Sequence, residues 1–311
     1  MDQAKSTREA FVSPTVGVHH RRTLSDDALR RLFLWPTLLL LIAFNIFPLL
    51  YSLGLSFTDF SAIANQPPNF IGLQNYRDIL GDPQLWVYFR NTGFYVVVSV
   101  ALETLVGFGL ALLLWRKFRG SSLITTLILT PMMLSPVVVG LFWKLIFNPN
   151  YGIFNYLLGY PPGRGPDWLG NPTLAIWAVV IVDVWMWAPY VMLLCLAGLS
   201  AIPDYLYEAA EIDRASPLFT FWRITLPMVA PLLLIAALFR TIEAFKTFDL
   251  VMGLTGGGPG DATELVAVNL YRIAFPNWQT GKASALAYIV LVLIIGVSNI
   301  YIKYLNQIKG D

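Results

Sequence analysis

The sequence predicts an all-α polytopic membrane protein with six transmembrane helices and both termini cytoplasmic. Composition, the length of the apolar runs and the placement of lysine and arginine predict it. Of 311 residues, 56% are hydrophobic and 13% charged, with a mean hydropathy of +0.61. Soluble domains sit near 45–50% apolar and about 25% charged. Six stretches reach the roughly 20 apolar residues that a helix needs to cross about 30 Å of hydrocarbon. The runs are continuous and lack the two-residue alternation of barrel strands, which selects helices.

In chain order the spans fall near Leu32–Phe57, Thr92–Trp115, Leu123–Phe147, Thr173–Leu199, Met228–Met252 and Ala283–Leu305. Pro131 and Pro136 inside the third should kink or break it. Orientation follows from the cations. The N-terminal tail (Lys5, Arg8, Arg21, Arg22, Arg30, Arg31), the second-to-third connection (Arg116, Lys117, Arg119), the fourth-to-fifth (Arg214, Arg223) and the C-terminus (Lys303, Lys309) together carry thirteen. The other side carries six: Arg77, Arg90, Lys144, Arg164, Arg272 and Lys282. The positive-inside rule therefore places both termini in the cytoplasm. Turn-rich outer connections include Asn65-Gln66-Pro67-Pro68 and Tyr160-Pro161-Pro162-Gly163. Trp86, Tyr88, Trp168, Trp278 and Tyr301 read as an interfacial aromatic belt.

Several function classes are excluded. A formal net charge of +2, dispersed over short loops, gives no nucleic-acid footprint. Cys195 is the single cysteine and lies in an apolar run, so no internal disulfide exists and the residue reads as packing. His19 and His20 lie in a basic tail without the converging ligands that zinc needs, so no metal site is expected. The tail suits an anionic cytoplasmic leaflet, and without an apolar stretch or cleavage site before residue 24 it stays on the chain. No internal repeat supports a two-fold secondary transporter.

Between spans four and five runs Ala201-Ile-Pro-Asp-Tyr-Leu-Tyr-Glu208-Ala209-Ala210-Glu211-Ile-Asp213-Arg214-Ala215, followed by Phe219-Thr-Phe-Trp-Arg-Ile224-Thr225-Leu226-Pro227. It reads as two short amphipathic helices joined by a turn, with good helix formers after Pro203-Asp204 and Pro227 at the start of the next span. The string resembles the EAA loop of binding-protein-dependent ABC importer permeases, in Glu208-Ala209-Ala210, Asp213, Ala215 and Ile224-Thr225-Leu226-Pro227. Arg214 stands where that family usually has glycine, a residue suited to a turn with positive φ. Either the turn is built differently here or its neighbours absorb the strain. Phe70-Ile71-Gly72-Leu73-Gln74-Asn75-Tyr76, Asn91-Thr92, Leu254-Thr255-Gly256-Gly257-Gly258-Pro259 and Tyr271-Arg272-Ile273-Ala274-Phe275 look like hallmarks of the carbohydrate-uptake branch, which includes the larger subunit of maltose transporters.

The resemblance implies a type I ABC importer permease fold. It divides the chain into a cytoplasmic tail, 1–31, and a transmembrane permease domain, 32–311, with a coupling loop at 200–227. Glu208, Ala209, Ala210, Asp213, Arg214, Ala215, Leu226 and Pro227 would meet the ATPase. Implied partners are a second homologous permease, two ATP-binding-cassette ATPases, an extracytoplasmic solute-binding protein and membrane lipid, in the bacterial cytoplasmic (inner) membrane. No cofactor is expected on this chain; ATP and Mg belong to the ATPase subunits. In agreement, no Gly-x-x-x-x-Gly-Lys-Ser/Thr is present. Gly256–Asp261 has no lysine after it and reads as a flexible outer turn, and no catalytic triad is in sight.

Ionisable residues inside a bilayer mark pathways or pair with one another. On span five, Arg240, Glu243, Ala244 and Thr247 share a helical face, one that matches the path-lining helix of sugar permeases. Pairing within the span, Arg240 with Glu243 and Lys246 with Asp249, is the structural alternative. On span four, Asp183, Trp187 and Tyr190 combine an aromatic face with hydroxyl-binding groups, which suits a sugar. Glu103 in span two reads as a packing partner. The expected function is a carbohydrate permease working by alternating access. The alternatives are an importer of glycerol phosphate or another small anion and an ion-coupled secondary transporter.

Overall fold

A computed structural model describes residues 25–64, 67–116 and 118–310. The tail cations Lys5, Arg8, Arg21 and Arg22, the two histidines, Asn65, Gln66 and Lys117 lie outside the described residues. Helices and turns account for the architecture, and an isolated bridge between Thr58 and Phe70 is the only β pairing among the described residues.

The chain divides into two units after Tyr51. The first holds α1 (Asp26–Leu41), a wide π turn (Ile42–Ile46) and the beginning of α2 (Phe47–Ser56). These lie in one apolar helical run, Arg30–Ser56, and the side chains described from Arg30 to Tyr51 are all exposed. A helix that is apolar all round belongs in lipid or against other helices. The π turn has a local cause. The Phe47 N–H reaches back five residues to Ile42 O, and the next residue is Pro48, whose ring would collide with a carbonyl in a regular ladder.

The second unit holds α3 (Gln74–Gly81), α4 (Pro83–Trp115), α5 (Ser121–Leu129), a 3-10 turn (Pro131–Met133), α6 (Pro136–Ile146), α7 (Ile153–Leu157) and α8 (Pro172–Ser200). There follow α9 (Asp204–Ile212), α10 (Pro217–Thr220), a second π turn (Phe221–Thr225), α11 (Leu226–Phe245), α12 (Asp249–Leu254), α13 (Val266–Ala274) and α14 (Thr280–Lys309). Helices α4, α8 and α10 each begin with a capping residue and a proline. The Asp82 Oδ1 accepts from Gln84 N–H, Asn171 Oδ1 from Thr173 N–H and Ser216 Oγ from Phe219 N–H, and each following proline has no donor to lose there.

The core is a packed set of long helices: α4 lies along α8, α11 rests on both, and α14 covers α11. Small residues let the backbones close up, with Ala111, Ala175, Ala178 and Ala188 buried. At Gly107 a Cβ would fall 2.5 Å from Ala188 O, so the α4–α8 crossing excludes any side chain there. Cys195 is buried and free, as expected of a packing residue.

Among the described residues, five continuous helical runs are long and apolar enough to cross a membrane: Arg30–Ser56, Pro83–Trp115, Pro172–Ser200, Pro217–Phe245 and Thr280–Ile308. The third stretch is broken, as Pro131 and Pro136 lead one to expect, and two other expectations need correction. Ser135 is extended before Pro136, as the proline ring demands, and α5 and α6 are separate. Span five stops at Phe245, and Lys246–Phe248 interrupts it before α12. The second loop helix and span five are continuous, because a π turn in which Leu226 N–H bonds to Phe221 O carries the helix past Pro227.

The aromatic belt is also partly a core. Trp86 and Trp278 are exposed. Trp168, however, packs on Phe154 and Phe147 and donates from Nε1 to Asn155 Oδ1 at 2.8 Å. Tyr88 is buried, and Tyr301 shares a hydroxyl bond with Thr241 at 3.0 Å.

Candidate functional site

Where α11 breaks, a polar cleft of about 120 Å³ is lined by Pro136, Asp183, Trp187, Arg240, Glu243, Lys246, Thr247, Phe248, Asp249 and Leu250. Five of the seven residues expected on a solute path meet there: Asp183, Trp187, Arg240, Glu243 and Thr247. Thr247 arrives through the break in α11 and not through helical phase, and its Oγ1 accepts from Tyr95 Oη at 3.2 Å. Two expected residues do not line the cleft. Ala244 is sealed in the core, and Tyr190 packs beside the cluster of Val191, Met192 and Cys195.

The ion pairing differs from both intrahelical pairs considered above. Arg240 Nε donates to Glu103 Oε2 at 2.6 Å, and its Nη2 donates to Glu103 Oε1 at 3.0 Å and to Asp183 Oδ2 at 3.3 Å. These groups are nearly dry, at 3% exposure for Arg240 and 0% for Glu103. The Trp187 ring stands over the guanidinium, 4.6 Å from carbon to centroid, a cation–π distance. Lys246 pairs with Glu243 at 2.6 Å, and both side chains are more than half exposed, so that pair is worth little as structure. Helices α4, α8 and α11 are thus tied together at one buried charge cluster, with the cleft beside it.

Glu103, Tyr95, Lys246 and Asp249 were not picked out as site residues from the sequence. Glu103 lies in α4, more than 130 residues before its partner, and no local spacing connects them. Larger grooves, of about 430 and 570 Å³, run between α11, α13 and α14 and between α4, α11 and α14. Their walls are almost wholly apolar and offer little to a polar solute. Among the described residues no cluster of His, Cys, Asp or Glu could hold a metal ion.

The turn at Gly256–Asp261, expected to be flexible, is stapled down. Asn91 Nδ2 donates to Asp261 O, Gln84 Nε2 to Asp261 Oδ2, Thr263 Oγ1 to Gly258 O and Arg272 Nη2 to Gly256 O. The Val266 N–H bonds to Thr92 Oγ1 at 2.9 Å, which fixes the turn to the N-terminal part of α4. Beside it, burial pushes the Glu264 carboxyl up from its ordinary range, and the Arg272 guanidinium pulls it part of the way back.

The EAA loop is α9, its turn and α10. Arg214 has φ +53, so the turn keeps the left-handed conformation that glycine would favour. Its bonds explain how an arginine is held there: Ala215 N–H reaches Ala210 O at 2.9 Å and Arg214 N–H reaches Glu211 O at 3.0 Å. That is a Schellman ending, which satisfies carbonyls the helix would otherwise leave open. Leu206 and Tyr207 face inward, Tyr207 sharing a hydroxyl bond with Thr225 at 3.1 Å and packing on Trp115 of α4. Glu208, Ala209, Asp213, Arg214 and Pro227 are exposed; Ala210, Ala215 and Leu226 are half-buried. Tyr205, Ile212, Leu218, Phe219 and Trp222 are exposed apolar neighbours.

Residues 103–307 match the profile of the family described as "Binding-protein-dependent transport system inner membrane component". The chain is 37% identical over 276 residues to the trehalose/maltose transport system permease protein MalF of Thermococcus litoralis, covering 88% of this chain and 92% of that one. It is 34% identical over 285 residues to the trehalose transport system permease protein SugA of Mycobacterium tuberculosis, covering 91% of each. Among solved structures it superposes with a TM-score of 0.77, at 20% identity, on a bacterial ABC transporter involved in the import of the acidic polysaccharide alginate. That likeness covers 90% of this chain and 97% of the other, and shows a shared fold. The profile match and the length of the curated alignments together place the chain in one family: it belongs to the binding-protein-dependent transport system inner membrane components, as a multi-pass permease subunit.

Proposed function

We propose that the chain carries a carbohydrate, as a sugar, oligosaccharide or sugar derivative, into the cytoplasm of a bacterium by alternating access across the inner membrane. The observation that carries the reading is the chemistry of the cleft: the Trp187 ring beside Asp183, Glu243, Asp249 and Thr247. An aromatic face suits the C–H face of a sugar ring, and carboxylates and hydroxyls suit its hydroxyl groups. The cleft's three carboxylates face two cations, and both cations are already paired. That balance disfavours glycerol phosphate or another small anion. Relatives that are permeases for trehalose and maltose support the sugar class.

A volume of about 120 Å³ is below the roughly 300–1,000 Å³ of solute pockets. The cleft must widen to pass a disaccharide, as alternating access requires. In this reading α5 and α6 together make the broken third of six spans, and the cation count places both termini in the cytoplasm. A second permease, two ATPases holding ATP and Mg, and a solute-binding protein complete the assembly. The EAA loop at 200–227 takes up the ATPase motion. Tyr207 hands it to Thr225 next to α11 and to Trp115 of α4, and these same helices hold Arg240 and Glu103. Along α4 the twelve residues from Trp115 to Glu103 span about 18 Å at about 1.5 Å per residue.

The direct test is a thermal-shift screen of the cognate binding protein against neutral sugars, sugar phosphates and glycerol phosphate. Stabilisation by neutral sugars is expected. Stabilisation by glycerol phosphate alone would remove the carbohydrate reading.

A further inference from the structure

Glu103 reads from the sequence as packing, and it is absent from the cleft wall. Yet it holds the one guanidinium that the wall contains. Its two oxygens take Nε and Nη2 of Arg240, at 2.6 and 3.0 Å, and Asp183 takes Nη2 again at 3.3 Å. Trp187 covers a face of the same group at 4.6 Å. Among the described residues only Nη1 is left for a ligand.

An anion approaching the cleft therefore meets a cation whose fork is occupied. With Glu103 counted, four carboxylates (Glu103, Asp183, Glu243, Asp249) stand against Arg240 and Lys246. Around the buried trio of Arg240, Glu103 and Asp183, where two carboxylates share one cation, water screens little of that imbalance, whereas Glu243, Asp249 and Lys246 are exposed and act more weakly. A hydroxyl group meets no such penalty, since it donates to the carboxylates and accepts from Nη1.

We infer that Glu103 determines specificity as a positioning residue: by occupying the fork of Arg240 it makes the pathway reject phosphate and sulfate esters while accepting the neutral sugar. The inference rests on the carbohydrate reading and deepens it. Without the Glu103 charge, Arg240 turns a bidentate edge toward the cleft, the geometry that recognises phosphate.

The test titrates the complete importer in lipid nanodiscs with trehalose, trehalose 6-phosphate and inorganic phosphate, by solute-detected NMR. The wild type should bind trehalose at least tenfold more tightly than its phosphate. Glu103→Gln should narrow that ratio at least tenfold, through tighter binding of the ester, and should gain inorganic phosphate binding. Glu103→Asp should keep the wild-type ratio, and Glu103→Gln/Arg240→Gln should restore rejection. An unchanged ratio in Glu103→Gln, or anion binding that persists in the double variant, overturns the inference. A binding protein stabilised by glycerol phosphate and by no sugar overturns the carbohydrate reading instead, and the inorganic phosphate arm still decides the role of Glu103. If Glu103→Gln does not assemble, Asp183→Asn replaces it: a smaller gain in phosphate binding is expected, and no gain overturns the inference.

Discussion

Gly140 of α6 and Gly253 of α12 face one another without side chains. A Cβ on Gly140 would lie 2.8 Å from both Leu250 O and Leu254 N, and one on Gly253 would lie 2.6 Å from Val137 O. These neighbours are backbone, so no rotamer change can clear them. Gly140→Ala must push the two helices apart by about 0.6 Å before ordinary carbon contact resumes, and overpacking of this kind costs about 1–3 kcal/mol. The strain lands on the cleft, since Pro136 begins α6 and Asp249 and Leu250 begin α12. Gly109→Ala is the matched control: its Cβ would meet nothing within 4 Å, and a helical alanine gains about 0.5–1 kcal/mol over glycine. Thermal unfolding of the purified chain in detergent should rank Gly109→Ala at or above wild type and Gly140→Ala clearly below. If Gly140→Ala melts with the wild type, the helices are not in backbone contact and the reasoning fails.

Other substitutions probe the remaining links. Thr92→Val removes the acceptor of the buried Val266 N–H and should cost about 1–3 kcal/mol in the same unfolding assay. Arg214→Gly relieves a left-handed residue with φ +53 and should stabilise the end of α9 by about 1 kcal/mol, read as slower hydrogen exchange at the Ala215 amide. Trp187→Leu should weaken sugar binding roughly two- to tenfold, from an aromatic contact worth about 0.5–1.5 kcal/mol. Trp187→Phe should recover most of it, measured by titration of the importer in nanodiscs.

Long apolar runs made most of the helices legible, because lipid leaves a backbone little choice. Their ends were less legible. Span two begins at Pro83, nine residues before Thr92, since Gln84, Arg90 and Asn91 are too polar to register as membrane although Asp82-Pro83 is a helix start. At Asn171-Pro172 the same cap-and-proline signal lies one residue from the expected start at Thr173, while at Ser216-Pro217 it marks the true start of the helical run that leads into span five. Proline predicted the break before Pro136 but not the opposite outcome at Pro48 and Pro227, where a π turn keeps the helix running. In the site, helical spacing found Asp183, Trp187, Arg240 and Glu243, yet it favoured partners on the same helix. Arg240 bonds instead to Glu103 and Asp183 on two other helices, and tertiary pairing of that kind has no local signature. The Arg214 turn was half legible: the glycine-like position was clear, and the Schellman bonds that hold an arginine there were not.

The most direct measurement is uptake of the labelled sugar that the binding protein recognises into proteoliposomes that carry this chain with its partner permease, ATPases and binding protein. Uptake by the wild type should require ATP and survive collapse of the proton gradient. Glu208→Lys, on the exposed face of α9, should assemble and hydrolyse ATP while its uptake falls below about a tenth of wild type, roughly 1.4 kcal/mol or more of lost coupling. Uptake that persists without ATP, or a Glu208→Lys importer as active as the wild type, would contradict an ATP-driven permease coupled through this loop.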